Sequence, residues 1–165
     1  MKRDNKRKEG MRRTFPHHAL TTIVFSLSLF LCYLLKDTSS AQEGTFIKWI
    51  GISVFLYGSV IRCWTYRLMY IHSRHFHLPL YERPLYTRGP YRHHRHPLHT
   101  SLFLMTLGSG LLISNHWLAA PLMFLLIGSA LHPIMRDEEQ FLTHKYGDIY
   151  ACWCKHRFRL LPFFY

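Results

Sequence analysis

RHPLHTSLFLMTLGSGLLISNHWLAAPLMFLLIGSALHPIMRDEE, residues Arg95 to Glu139, is the stretch that decides the fold. It opens on a cationic, histidine-bearing turn, runs through two apolar stretches divided by Asn115 and His116, and closes on a pair of carboxylates. Each apolar stretch approaches the roughly 20 residues that cross a bilayer core. Joined by so short a link, they form an antiparallel helical hairpin, which returns Glu138 and Glu139 to the side on which Arg95 and His96 begin. Basic and acidic halves of one pocket are implied.

The same alternation extends along the rest of the chain. With 48% hydrophobic residues and a formal net charge of +12 over 165 residues, apolar and charged residues must be segregated. Apolar runs fall at about 18–35, 46–71, 98–114 and 117–135, the second turning polar after Ile61. The mean hydropathy of -0.05 reflects dilution of these runs by basic segments. The expected fold is all-α: an integral membrane protein of four transmembrane helices with a C-terminal cytoplasmic amphipathic helix. A basic arm at 1–17 precedes a single domain at 18–165.

Lysine and arginine set the orientation. They crowd the first 13 residues, the segment from Arg62 to Arg95 and the tail from Arg136 to Arg159, whereas Lys36 is the only one in the two opposite loops. Both termini are therefore expected in the cytoplasm. Clustered basic residues also suit nucleic acid, but beside apolar spans they are explained by topology and anionic headgroups, so the expected partners are membrane lipids and not nucleic acid. Ser39-Ser40-Ala41 after the first apolar run resembles a secretory cleavage site; that run is long for a leader, and a retained anchor is expected. Cys152 and Cys154 match no zinc spacing, and a disulfide framework is not expected.

Between the second and third spans, the loop at 72–97 carries Pro79, Pro84, Pro90 and Pro97, which forbid a long helix and suit a pocket wall. Gly108, Gly110 and Ser114, facing Gly128 and Ala130, should let the hairpin close tightly. After Met135 an amphipathic helix is expected to run to Tyr146, capped by Gly147. Arg136, Glu139 and Tyr146 share one stripe of it, with Glu138 about 100 degrees away, so spacing leaves open which glutamate faces the pocket. Arg62, deep in the second span, either snorkels to the interface or backs the site.

The many histidines admit two uses. His72, His75, His77, His93, His94, His96 and His99 resemble the clusters of membrane di-iron desaturases and hydroxylases. Such sites need many convergent ligands, whereas Pro97 interrupts the second cluster and Arg74, Arg92 and Arg95 intersperse cations; no metal ligands are assigned. The other use is to bind an anionic or zwitterionic small molecule. Arg95 can grip a carboxylate, His96 can donate to it, and Glu138 or Glu139 can accept from hydroxyls or an amine, or offset a sulfonium.

Gly58-x-x-x-Arg62-x-Trp64, Leu85-Tyr86-Thr87-Arg88-Gly89-Pro90-Tyr91, Arg95-His96-Pro97, Arg136-Asp137-Glu138-Glu139 and Tyr146-Gly147-Asp148-x-Tyr150 follow one another in order. This composite, from about Gly51 to Pro162, resembles the isoprenylcysteine carboxyl methyltransferase and phospholipid methyltransferase superfamily. The resemblance implies an integral membrane enzyme that binds S-adenosylmethionine without a Rossmann domain. It places Tyr91, Arg95, His96, Pro97, His99, Glu138 and Glu139 at the cofactor, and Arg136 and Glu139 at the reacting centre. It also implies a lipophilic acceptor, either a prenylcysteine-like carboxylate or a lipid amine, entering from the bilayer. His99 and Ser101 stand where the superfamily usually has tyrosine and glycine. A histidine-ligated di-iron oxidoreductase and a non-catalytic membrane protein with a degenerate pocket are the alternatives.

Overall fold

The computed structural model describes residues 22–35, 41–71 and 85–160. Its elements are α1 (Thr22–Leu34), α2 (Ala41–Ile71), a 3-10 turn (Gly89–Arg92), α3 (Pro97–Ser114), α4 (Ala119–Tyr146) and α5 (Asp148–Cys154). Among the described residues the fold is helical, apart from one isolated parallel bridge between His94 and Phe158.

Three helices, α2, α3 and α4, are long and apolar enough to cross a membrane. Four spans were expected; α1 is shorter, and the start of its expected span, His18, lies outside the described residues. The central helix is α3, with 56% of its apolar window buried against 39% for α4 and 22% for α2. Its buried hydroxyls would be costly if unpaired, and each is satisfied. Thr100 donates to the carbonyls of His96 and Leu160 at 3.1 and 3.2 Å, Ser101 to that of Leu98 at 2.8 Å, and Thr106 to that of Leu102. Leu56, Tyr57, Val60, Trp64 and Leu125 remain exposed, as large apolar side chains that face lipid do.

The tightest seam lies between α2 and α3. A Cβ on Gly108 would stand 2.7 Å from both the Gly51 carbonyl oxygen and the Phe55 backbone nitrogen, and one on Gly58 would stand 2.9 Å from the Met105 backbone nitrogen. Missing side chains thus let the two backbones touch, as small residues do between membrane helices. This corrects the expectation that Gly108 and Gly128 close the α3–α4 hairpin: Gly108 faces α2, and Gly128 has nothing within 4 Å of its Cβ position. On the hairpin side Gly110 makes the room, its Cβ position lying 2.7 Å from the Met123 Cε atom. Met123 joins Phe103, Ile127, Leu131, Met135, Cys32 and Leu160 in the core.

The hairpin turn takes Asn115 to Leu118. Asn115 adopts φ 53° and returns its N–H to the Leu111 carbonyl at 3.0 Å, while His116 Nδ1 accepts the Leu118 N–H at 3.1 Å. A separate amphipathic helix was expected after Met135, but α4 continues unbroken through Pro133 and Met135 to Tyr146. Proline in an apolar helix removes one donor without breaking it where neighbours restore the balance. At 28 residues α4 measures about 42 Å, longer than the roughly 30 Å hydrocarbon core. Its last turns therefore leave the membrane as a rigid post until Gly147, at φ 55°, ends it.

Gly108→Ala should destabilise the detergent-solubilised protein by about 1 to 3 kcal/mol, because both clashing atoms are backbone. Gly128→Ala should be neutral or stabilising by up to ~1 kcal/mol. Thermal unfolding of the two variants side by side checks the contrast.

Candidate functional site

The loop enters the site through the 3-10 turn, whose Gly89 takes φ 60° and lies over Trp64 and Leu68 of α2. Beyond it the chain pairs with the tail. The Arg95 N–H donates to the Phe158 carbonyl at 2.8 Å, and the Phe158 N–H donates to the His93 carbonyl at 3.0 Å. The Arg95 side chain fastens the same junction, Nε donating to the Arg157 carbonyl at 3.0 Å and Nη2 to that of Cys154 at 2.9 Å. Its remaining nitrogen, Nη1, reaches Glu139 Oε1 at 3.5 Å.

On the post formed by α4, both glutamates meet one imidazole. His96 Nδ1 is 3.1 Å from Glu138 Oε2, and Nε2 is 3.3 Å from Glu139 Oε1. Residues 100 degrees apart on a helix cannot share a point, but they can take the two edges of a ring; of the two, Glu139 also lines the neighbouring cavity. Arg159 completes the cluster, with Nη2 3.0 Å from Glu139 Oε2.

Burial alone would lower the His96 pKa, but hydrogen bonds and charge from Glu138 and Glu139 outweigh it and raise it above 6.5. The Tyr91 hydroxyl is pushed up to about 12, first by burial and then by Glu138 and Tyr86, and remains a neutral donor. Burial, with neighbouring His93, lowers the His94 pKa and favours its neutral ring.

Beside the cluster, an open cavity of about 680 Å³ is lined by His132, Arg136, Glu139, Gln140, Thr143, His144 and Arg159. Its size suits a small organic ligand. Most of the lining lies on one face of α4, and Arg159 comes across from the tail.

The predicted site residues are thus largely together. Arg95, His96, His99, Glu138 and Glu139 form linked contacts, Pro97 starts α3 beside them, and the charge of Glu138 is felt at Tyr91. Arg136 lines the cavity together with Glu139. Tyr146, expected on the same stripe, is not part of that lining and lies instead under Lys145, at 4.6 Å. Arg62 turns to its own helix, donating to the Tyr66 hydroxyl at 3.1 Å. Arg159, His132 and His144 were not singled out, although the i, i+4 spacing of His132 and Arg136 was available as a signal. Of the histidines in the di-iron alternative, His72, His75 and His77 lie outside the described residues; among the described residues the only group able to chelate an ion is His96, His99 and Glu138.

A loop, a hairpin and a projecting helix end that meet around paired carboxylates can be compared with known families. The model of the phospholipid methyltransferase family matches residues 46–149, more than half of the chain. The chain belongs to this family. It is accordingly an integral membrane protein of a methyltransferase family. The family match takes in most of α2, the loop, α3, α4 and both glutamates, and ends before Arg159. Among individual curated proteins, none matches the chain.

Because the folded-state pKa of His96 is raised, its stabilising contribution is complete below about 6.5 and is lost as pH rises through the folded value. His96→Gln should therefore cost about 1 to 3 kcal/mol near pH 6 and progressively less as pH rises. Thermal unfolding in chelator-containing buffer measures this, and a gap independent of pH would contradict a charged His96. Arg95→Lys, which loses the fork that binds two tail carbonyls, should speed hydrogen exchange at Phe158 by about tenfold or more while leaving α3 protected.

Proposed function

We propose that this protein is an S-adenosylmethionine-dependent methyltransferase acting on a lipophilic acceptor at the cytoplasmic membrane face, the side to which we also assign both termini. The carrying observation is the Glu138–His96–Glu139 cluster on the emergent end of α4, opening through Glu139 onto a cavity with a basic wall. Family membership supports methyl transfer, and the site chemistry suits the cofactor: carboxylates for hydroxyls, an amine and a sulfonium, and cations for a carboxylate. Tyr91, Arg95, His96, Pro97, His99, Glu138 and Glu139 are the residues we assign to hold it.

When bound, S-adenosylmethionine supplies an electrophilic methyl group on a sulfonium. The protein has to bring an acceptor in line with it, and well-oriented reactants can supply roughly 7 to 11 kcal/mol of the barrier. Arg136 and Arg159, facing the cavity from α4 and the tail, favour an acceptor bearing an anionic group. A prenylcysteine-like carboxylate meets that requirement itself, and an amine lipid meets it through its phosphate. A carboxylate needs no base at neutral pH. An amine must be neutral to attack, and Glu139, which reaches both cluster and cavity, is placed to orient it.

Proteoliposomes given isotopically labelled S-adenosylmethionine with either an S-farnesylcysteine derivative or phosphatidylethanolamine should label one of the two. Glu139→Gln should reduce transfer about a hundredfold or more, and His72→Ala should leave it unchanged. Absence of label in any lipophilic product, with folded wild-type protein, would overturn the assignment.

A further inference from the structure

Three atoms of the cluster, one from each of His96, His99 and Glu138, lie close together. Glu138 Oε2 lies 3.1 Å from His96 Nδ1 and 3.8 Å from His99 Nδ1, and the three side chains' ligand atoms all fall within 4.8 Å of one another. A tetrahedral ion held at about 2.1 Å places its donor atoms roughly 3.4 Å apart. The two nitrogen–oxygen separations bracket that value.

The surroundings fit as well. A ligating imidazole ordinarily gives its other N–H to a carboxylate, which fixes the tautomer and the ring; His96 Nε2 faces Glu139 Oε1 at 3.3 Å. The cations nearby, Arg95 and Arg159, both pair with Glu139, one carboxylate removed from the converging atoms. His96 is buried, whereas the His99 and Glu138 side chains are 21% and 42% exposed, so an ion can arrive from water and keep a water molecule as its fourth ligand. Two imidazoles and one carboxylate select a transition ion over magnesium or calcium.

We propose that His96 Nδ1, His99 Nδ1 and Glu138 Oε2 form a binding site for Zn²⁺, with Glu139 holding His96 in the ligating tautomer. Resting on the function proposed above, the ion and the cofactor are mutually exclusive, since both draw on the same carboxylates and a sulfonium is repelled by a dication.

Chelator-stripped, detergent-purified protein titrated calorimetrically with Zn²⁺ at mildly alkaline pH should bind one ion per chain, and Co²⁺ should give the intense visible absorption of a four-coordinate site. His99→Ala should weaken binding at least a hundredfold and Glu139→Gln about tenfold, whereas a variant with His72, His75 and His77 all replaced by alanine should bind as wild type. Failure of wild type to bind, binding indifferent to His99→Ala, or loss in the triple variant instead would overturn the site. Zn²⁺ should also raise the apparent Kd for S-adenosylhomocysteine in wild type and not in His99→Ala. Zn²⁺ binding through His99 that leaves that Kd unchanged would overturn the exclusivity. Zn²⁺ binding by a protein that never binds S-adenosylhomocysteine would uphold the ion site while removing the cofactor reading.

Discussion

The carboxylate of Glu139 is where the molecule is tied together. It draws Arg95 from the loop, His96 from the start of α3 and Arg159 from the tail onto the emergent end of α4. A partly buried carboxylate is costly unless it is paired and hydrogen-bonded, so the acid and its three partners require each other. Once they meet, Arg95 has two donors left for tail carbonyls, and the pairing of His93 and Arg95 with Phe158 follows. The cavity is shaped by the same event, because two of its walls are Glu139 and Arg159.

Two features of the membrane part make this meeting reproducible. The glycine seam between α2 and α3 fixes how closely those backbones lie, and the loop turn rests on Trp64 and Leu68 just beyond it. The unbroken α4 then carries the glutamates out of the apolar layer on the helix that packs in the core through Met123, Ile127, Leu131 and Met135. A site built on helix ends is held more rigidly than one built on loops alone. It also stands at the boundary between the apolar layer and water.

Much of this was legible in the sequence. The apolar runs, the short link at Asn115 and His116, and the cap at Gly147 are local signals, and same-side logic was enough to bring Arg95 and His96 toward the glutamates. Three things were not. The fall in hydropathy after Met135 marks where α4 leaves the apolar layer, and it was read as the end of a helix because composition, unlike backbone geometry, changes there. The two glutamates were set against each other by helical angle, a rule for a point target; an imidazole offers two edges. Arg159 reaches Glu139 because its neighbours Arg157 and Leu160 are held by Arg95 and Thr100, contacts spanning some sixty residues, and a single parallel bridge leaves no periodicity to read. The partners of Gly108 were likewise hidden, since a glycine in a span announces close approach without naming which helix approaches.

The most direct measurement is a calorimetric titration of chelator-stripped, detergent-purified wild-type protein with S-adenosylhomocysteine. The account predicts saturable binding at one ligand per chain. A folded preparation that shows no binding would contradict the claim that the Glu138–His96–Glu139 cluster and its cavity form a cofactor site.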